Sequence, residues 1–418
     1  MSDLGGPDLT ISDVMAAPGV GAFFFDDQAA IKAGASRDGF AFTGEPLTAG
    51  FDAVRRPAEA VSVMIRLSDG HVTYGDCLAV QYSGVGGRDP LLRSADLAPL
   101  LEGEVARALR GRPVGSFRES CALIDQIVDS TSGLGTAAAY GLSQAALDAA
   151  AHAQGRSMAR TLQAEWGIDQ ALRRVPVFAQ CGEQRYENVD KMILREVDAM
   201  PHGLINDRAL VGERGEALVD YVRWVSERVR TLRRRPNFEP VLHFDLYGVL
   251  GQVMEQRIDD IATVLLAMEE AARPFLLQVE QPLDAGGRSA QIEQMGVLRA
   301  RLRERGGTVR LVADEWANTV EDIREFNRAG AVDMVQIKTP DLGGIHNSVE
   351  AVLDCRRHDV LVHLGGSCTE SDRSARVCVH LALATGAAQI LAKPGMGVDE
   401  GLTIVTNEMS RTLRLDQS

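Results

Sequence analysis

The chain has 418 residues, 44 of them Lys or Arg and 58 Asp or Glu, for a formal charge of −14. That balance argues against nucleic acid as a partner, because gripping phosphates needs a basic surface. A hydrophobic share of 45% is ordinary for a globular protein, and no stretch is apolar for a membrane-spanning length.

The first nineteen residues, MSDLGGPDLTISDVMAAPG, have neither a basic start nor a continuous apolar run and do not resemble a secretory signal. From residue 60, AVSVMIRL and HVTYGDC alternate with period two around an Asp-Gly turn, which predicts a hairpin. The glycine-rich QYSGVGGRDP (81–90) follows without GxGxxG and without the strand-before, helix-after setting of a phosphate-binding turn, so nucleotide binding is not expected. GTAAAYGLSQAALDAAAHAQG (135–155) is rich in alanine and leucine and closes on glycine, the pattern of a helix. Residues 1–165 thus read as an N-terminal α+β domain. The six cysteines (Cys77, Cys121, Cys181, Cys355, Cys368 and Cys378) form no CxxC pair. Neither a disulfide framework nor a zinc site is expected, and a reducing cytoplasm fits.

Over residues 166–418 the pattern becomes short apolar runs separated by long amphipathic segments. The runs are VPVFAQ, KMILRE, EPVLHFDL, FLLQVEQP, VRLVADEW, DMVQIKTP, VLVHLGG and ILAKPG, with helix-like stretches such as IDDIATVLLAMEEAA and TVEDIREFNRAGA between them. Eight strand–helix repeats predict an α/β fold of the (β/α)8 TIM-barrel type, which typically takes about 250 residues. A doubly wound open sheet is second, for want of a glycine-rich first turn.

In such a barrel the C-terminal strand ends line the catalytic mouth. Three consecutive runs end in an acid, Asp245, Glu280 and Asp314, at intervals of 35 and 34 residues, one βα unit each. A single acid there is more often a helix N-cap or a solvated loop charge; three in register predict neighbours around the rim. Three anions in a low-dielectric mouth require a cation, and oxygen-only ligands select Mg²⁺, with Mn²⁺ as substitute. Glu315 and Asp284 are rivals for the same role. The next run ends in Lys338, one of only four lysines in the chain. Gln336, two residues earlier, should share its face. An amine desolvated at a barrel mouth has a lowered pKa and serves as a general base, here to remove a proton α to a metal-bound carboxylate.

These residues resemble those of the methylaspartate ammonia-lyase family, within the enolase superfamily. The likeness spans most of the chain: FFFDDQAAIKAGASRDGF, GDCLAVQYSGVGGRDP, YGLSQAALDA, DKMILREVDAMPHGLIN, VADEWANT, VQIKTPDLGGIHN and KPGMGVDEGL. The resemblance implies elimination of ammonia from L-threo-3-methylaspartate to mesaconate, with Mg²⁺ required and K⁺ assisting. It implies Lys338 as the C3 base, His202 as a second acid/base residue on the opposite face, and Asp245, Glu280 and Asp314 as metal ligands. By sequence alone His202 reads as a loop histidine after a strand. Gln180, Gln336, Ser367, Cys368 and Met396 fall where the family contacts substrate, and Gln81 and Tyr82 sit on a loop that would close over it. A homodimer is implied too.

Two departures stand out. HLGGSCTES (363–371) replaces the family's usual Tyr-Gln-Gly-Gly-Thr-Cys-Asn-Glu-Thr, and Gln281 stands where a glycine is usual. Both leave base and metal ligands intact but touch groups near the amine and distal carboxylate. Another enolase-superfamily reaction (cycloisomerisation, acid-sugar dehydration, racemisation or epimerisation) on a different carboxylate is therefore the alternative, and a non-catalytic carboxylate-binding protein the last.

Overall fold

The computed structural model describes residues 9–417; the opening eight residues of the segment read as lacking a secretory signal, and Ser418, lie outside them. Among the described residues no helix is long and apolar enough to cross a membrane.

Strand β1 (Ile11–Asp26) comes first, then the short antiparallel pair β2 (Ser36–Asp38) and β3 (Ala41–Thr43), then β4 (Arg55–Leu67) and β5 (Val72–Cys77). β4 and β5 form the predicted hairpin, turning at Gly70 with φ 87°. The long β1, which pairs antiparallel with β4, was not expected. Pro18, Gly19 and Gly21 interrupt its alternation, and the register slips between Val20 and Phe24. Gly21 is required by proximity: a Cβ there would lie 2.5 Å from the Thr369 carbonyl oxygen, so β1 passes against the barrel mouth. The predicted helix spans Thr136–Ala153 and is buried almost all round. This explains its alanine content, since bulky side chains would hold apart the sheet beneath and the barrel above.

The barrel is closed and wholly parallel. Its strands are β6 (Val177–Phe178), β7 (Ala199–His202), β8 (Val241–Asp245), β9 (Leu277–Glu280), β10 (Arg310–Ala313), β11 (Met334–Ile337), β12 (Leu361–Leu364) and β13 (Gln389–Leu391), with β13 pairing back to β6. One run was misread. KMILRE belongs to the helix Glu187–Leu194, whose buried Val189, Met192 and Ile193 are spaced for one helical face. The second strand is Ala-Met-Pro-His, whose brevity and Pro201 hid it, so His202 ends a strand rather than sitting in a loop.

Candidate active site

Asp245 ends β8 and stands opposite Glu280 at the end of β9, while Asp314 follows β10. One carboxylate oxygen from each lies within 4.8 Å of the others, and all three residues are buried. The rivals are engaged elsewhere. Glu315 meets Arg88 at 3.0 Å, and Asp284 accepts from Gly286 N and Trp316 Nε1.

Glu280 is held from below. His243 Nε2 lies 2.8 Å from its Oε2, and Gln336 Nε2 donates to its Oε1 at 2.5 Å. The amide of Gln389 donates to His243 Nδ1 at 3.0 Å, which assigns the His243 proton to Nε2. Burial, with His202 nearby, takes His243 down to about 3, so it is a neutral donor and brings no charge to the cluster. Burial, reinforced by Asp245 and Asp314, pushes the Glu280 carboxyl well above its ordinary value. Asp314 rises to about 6, burial again leading and Lys338 opposing.

Lys338, just beyond β11, lies 2.6 Å from Asp314 Oδ1. The expected lowering of its pKa is not what the structure gives. Burial does pull it down, but Asp314 and Glu315 outweigh burial and hold the ammonium above the ordinary lysine value. The amine is paired, not merely desolvated.

His202 faces Lys338 across the mouth: β7 and β11 stand four strands apart in a ring of eight. Its Nε2 lies 3.4 Å from both Asp245 Oδ2 and the Tyr247 hydroxyl. Between Lys338 and His202 opens a pocket whose lining includes Gln81, Tyr82, Gln180, Gln336, Ser367, Cys368 and Met396, so every sequence-predicted contact residue reaches one space. Ser367 Oγ accepts from Gln81 N at 3.2 Å, joining the cap loop to the β12 end.

Sequence reading missed Phe178, Leu391, Tyr247 and Arg88, which also line it. Phe178 could have been found, since it precedes Gln180 by two residues and shares its face. Arg88 lies within the loop already singled out. It clamps that loop to the barrel through Asp341 at 2.8 Å and Glu315 at 3.0 Å.

Models of the two halves of one family match in succession: methylaspartate ammonia-lyase N-terminus over residues 9–167 and methylaspartate ammonia-lyase C-terminus over residues 169–418. The chain belongs to the methylaspartate ammonia-lyase family. It is 49% identical over 410 residues to the methylaspartate ammonia-lyase of Haloarcula marismortui, covering 97% of each chain. It superposes with TM-score 0.95 and 46% identity on the Citrobacter amalonaticus methylaspartate ammonia-lyase crystallised with (2S,3S)-3-methylaspartic acid, covering 98% and 100% of the two chains. Against the Mg complex of β-methylaspartase from Clostridium tetanomorphum the TM-score is 0.92 at 46% identity, with 97% and 98% covered.

For a member of the methylaspartate ammonia-lyase family, the donor set present here is chemically apt. Three buried carboxylates, two of them pushed toward protonation by burial and by neighbouring carboxylates, meet one ammonium and a neutral imidazole. Such a cluster lacks positive charge, and its all-oxygen donors suit a small, hard divalent ion. The two departures from the family pattern are also placed. Gln281 adopts φ 44°, the left-handed region that favours glycine, and its amide turns to the Leu283 carbonyl at 3.1 Å. His363 is buried beneath the pocket floor, its ring 5.0 Å edge-on from Phe178.

Proposed function

We propose that this chain is a Mg²⁺-dependent methylaspartate ammonia-lyase that converts L-threo-3-methylaspartate to mesaconate and ammonia. The observation that carries the reading is Lys338 facing His202 across a pocket lined by Asp245 and Asp314, with Glu280 clustered against both, in a chain nearly half identical to enzymes of that name.

Asp245, Glu280 and Asp314 would hold Mg²⁺, which would supply a Lewis acid for a substrate carboxylate and offset the Asp314 charge that otherwise retains the Lys338 ammonium. Lys338 then accepts the C3 proton. The C3–H electrons become the second bond of C2=C3 as the C2–N bond breaks, and nitrogen leaves as ammonia with the C2–N bonding pair. Across the mouth His202 serves as the second acid/base group, able to work on the other face. Gln336 braces Glu280, while Gln180, Ser367 and Cys368 orient the distal carboxylate. Phe178, Leu391 and Met396 give the methyl group an apolar wall. Gln81 and Tyr82 close the pocket from the cap.

The cap is assigned to residues 1–165 and the catalytic barrel to 166–418, in keeping with the change from hairpin and helices to strand–helix repeats. A homodimer rests on the family resemblance, and sedimentation would test it. A reducing cytoplasm is in keeping with six cysteines that are all free and buried.

The test is direct: purified protein with 3-methylaspartate and Mg²⁺ should show the rising absorbance of mesaconate. No signal there, with turnover of another carboxylic acid, would assign the chain to a different enolase-superfamily reaction.

A further inference from the structure

The FFFDD stretch has no place in the chemistry above, yet Asp26 from it touches the pocket wall. Asp26 is buried, and its carboxylate accepts from Arg55 Nε at 2.7 Å and Nη2 at 2.8 Å. The Arg55 side chain is only 6% exposed. Its guanidinium carbon lies 4.6–5.9 Å from the ring centres of Phe23, Phe24, Phe40 and Phe42. A planar cation caged by four rings has little freedom to turn. Asp26 Oδ2 also accepts from Gln81 Nε2 at 2.8 Å, and Asp26 N donates to the Gln81 carbonyl at 3.1 Å.

A carboxylate gripped by an arginine has no hydrogen to give, so only the NH₂ end of the Gln81 amide can face it. The amide is planar, and Oε1 is therefore turned away from Asp26. There it accepts from Cys368 Sγ at 3.4 Å, inside the pocket lining. The pocket is thus offered an acceptor at this point, not a donor. A substrate ammonium can only donate; a reversed amide would meet it with two further donors.

We propose that Asp26, braced by the caged Arg55, is a positioning residue that sets the Gln81 amide so that Oε1 receives the substrate's amine. This rests on the reading of the chain as an ammonia-lyase; Gln81 already stands among the residues that the family resemblance sets against substrate, and what is added is Asp26 behind it. It gives the FFFDD stretch a function: the phenylalanines hold the arginine, the arginine holds the aspartate, and the aspartate holds the amide.

The experiment compares Asp26→Asn, Gln81→Ala and the double variant Asp26→Asn/Gln81→Glu with the unaltered enzyme. Two constants are measured: KM for 3-methylaspartate, and the inhibition constant of methylsuccinate, which has both carboxylates and no amine. In Asp26→Asn the new amide can donate to Gln81 Oε1 and so reverse it. KM should rise about tenfold or more while the methylsuccinate constant stays put. In the double variant a carboxylate at position 81 accepts on both sides, and the ratio of the two constants should return toward that of the unaltered enzyme. That ratio does not depend on how much protein folds, so loss of stability cannot imitate the effect. Asp26→Asn constants that move together, or neither moving, overturn the proposal. Gln81→Ala with an unchanged ratio overturns it at the amine contact. An unaltered enzyme inert toward 3-methylaspartate would instead sink the functional reading.

Discussion

Lys393 Nζ lies 2.6 Å from Glu370 Oε2, and neither side chain has any solvent exposure. The Tyr140 hydroxyl donates to Glu370 Oε1 at 2.5 Å, and Lys393 donates to the Gly365 carbonyl at 2.8 Å. One buried pair therefore joins the cap helix to the segment that presents Ser367 and Cys368. Replacing Lys393 by methionine leaves the Glu370 charge uncompensated, which should cost about 3–5 kcal/mol of unfolding free energy in urea. The double variant Lys393→Met/Glu370→Gln should recover much of that loss. A single variant as stable as the parent would show that the pair does not hold the segment.

A metal held by the triad would compete with Lys338 for Asp314. Replacing Lys338 by alanine should abolish elimination while Mg²⁺ binding, read by calorimetry, survives or tightens, because the ammonium 2.6 Å from Asp314 is gone. Unchanged activity would refute the assigned base. A loss of Mg²⁺ binding would mean that the amine organises the triad.

The rim acids were legible because a βα unit has a nearly fixed length and each acid closes an apolar run; the intervals of 35 and 34 residues carry that regularity. The second barrel strand was not, since four residues containing Pro201 offer no period to detect, while the preceding Val189, Met192 and Ile193 offer a helical one. The sign of the Lys338 shift was out of reach for another reason. Burial alone predicts a decrease, and only the approach of Asp314 and Glu315, on a different strand end of the barrel, reverses it. Arg88 and Asp26 likewise act through partners on distant segments that no local pattern reveals.

Glu408 supplies the clearest pH dependence away from the mouth. It meets His380 at 3.4 Å, Arg376 at 2.9 Å and Arg411 at 2.8 Å. The His380 bond, against burial and with both arginines, holds its carboxyl far below the ordinary 4.5. A depressed folded-state pKa gives stability that is fully present above the unfolded value and drains away as pH falls toward the folded one. The stability gap between parent and Glu408→Gln, from urea unfolding, should be widest above about pH 5 and close on acidification. A gap independent of pH would assign the effect to packing.

His363 is the departure whose consequence is most open to measurement. Neither ring nitrogen has a hydrogen-bond partner among the described residues, and the side chain is fully buried. Burial, with His243 and Lys393 nearby, holds its pKa well below the ordinary value, so the ring is neutral and keeps one buried N–H without a partner. A buried donor without a partner costs about 1–3 kcal/mol. Phenylalanine preserves the edge-on packing against Phe178 at 5.0 Å and deletes the donor. His363→Phe should therefore match or exceed the parent in urea stability, with turnover little changed because the ring lies under the pocket floor and not in its lining. A loss of more than about 2 kcal/mol would mean that an internal water satisfies the imidazole beneath the site.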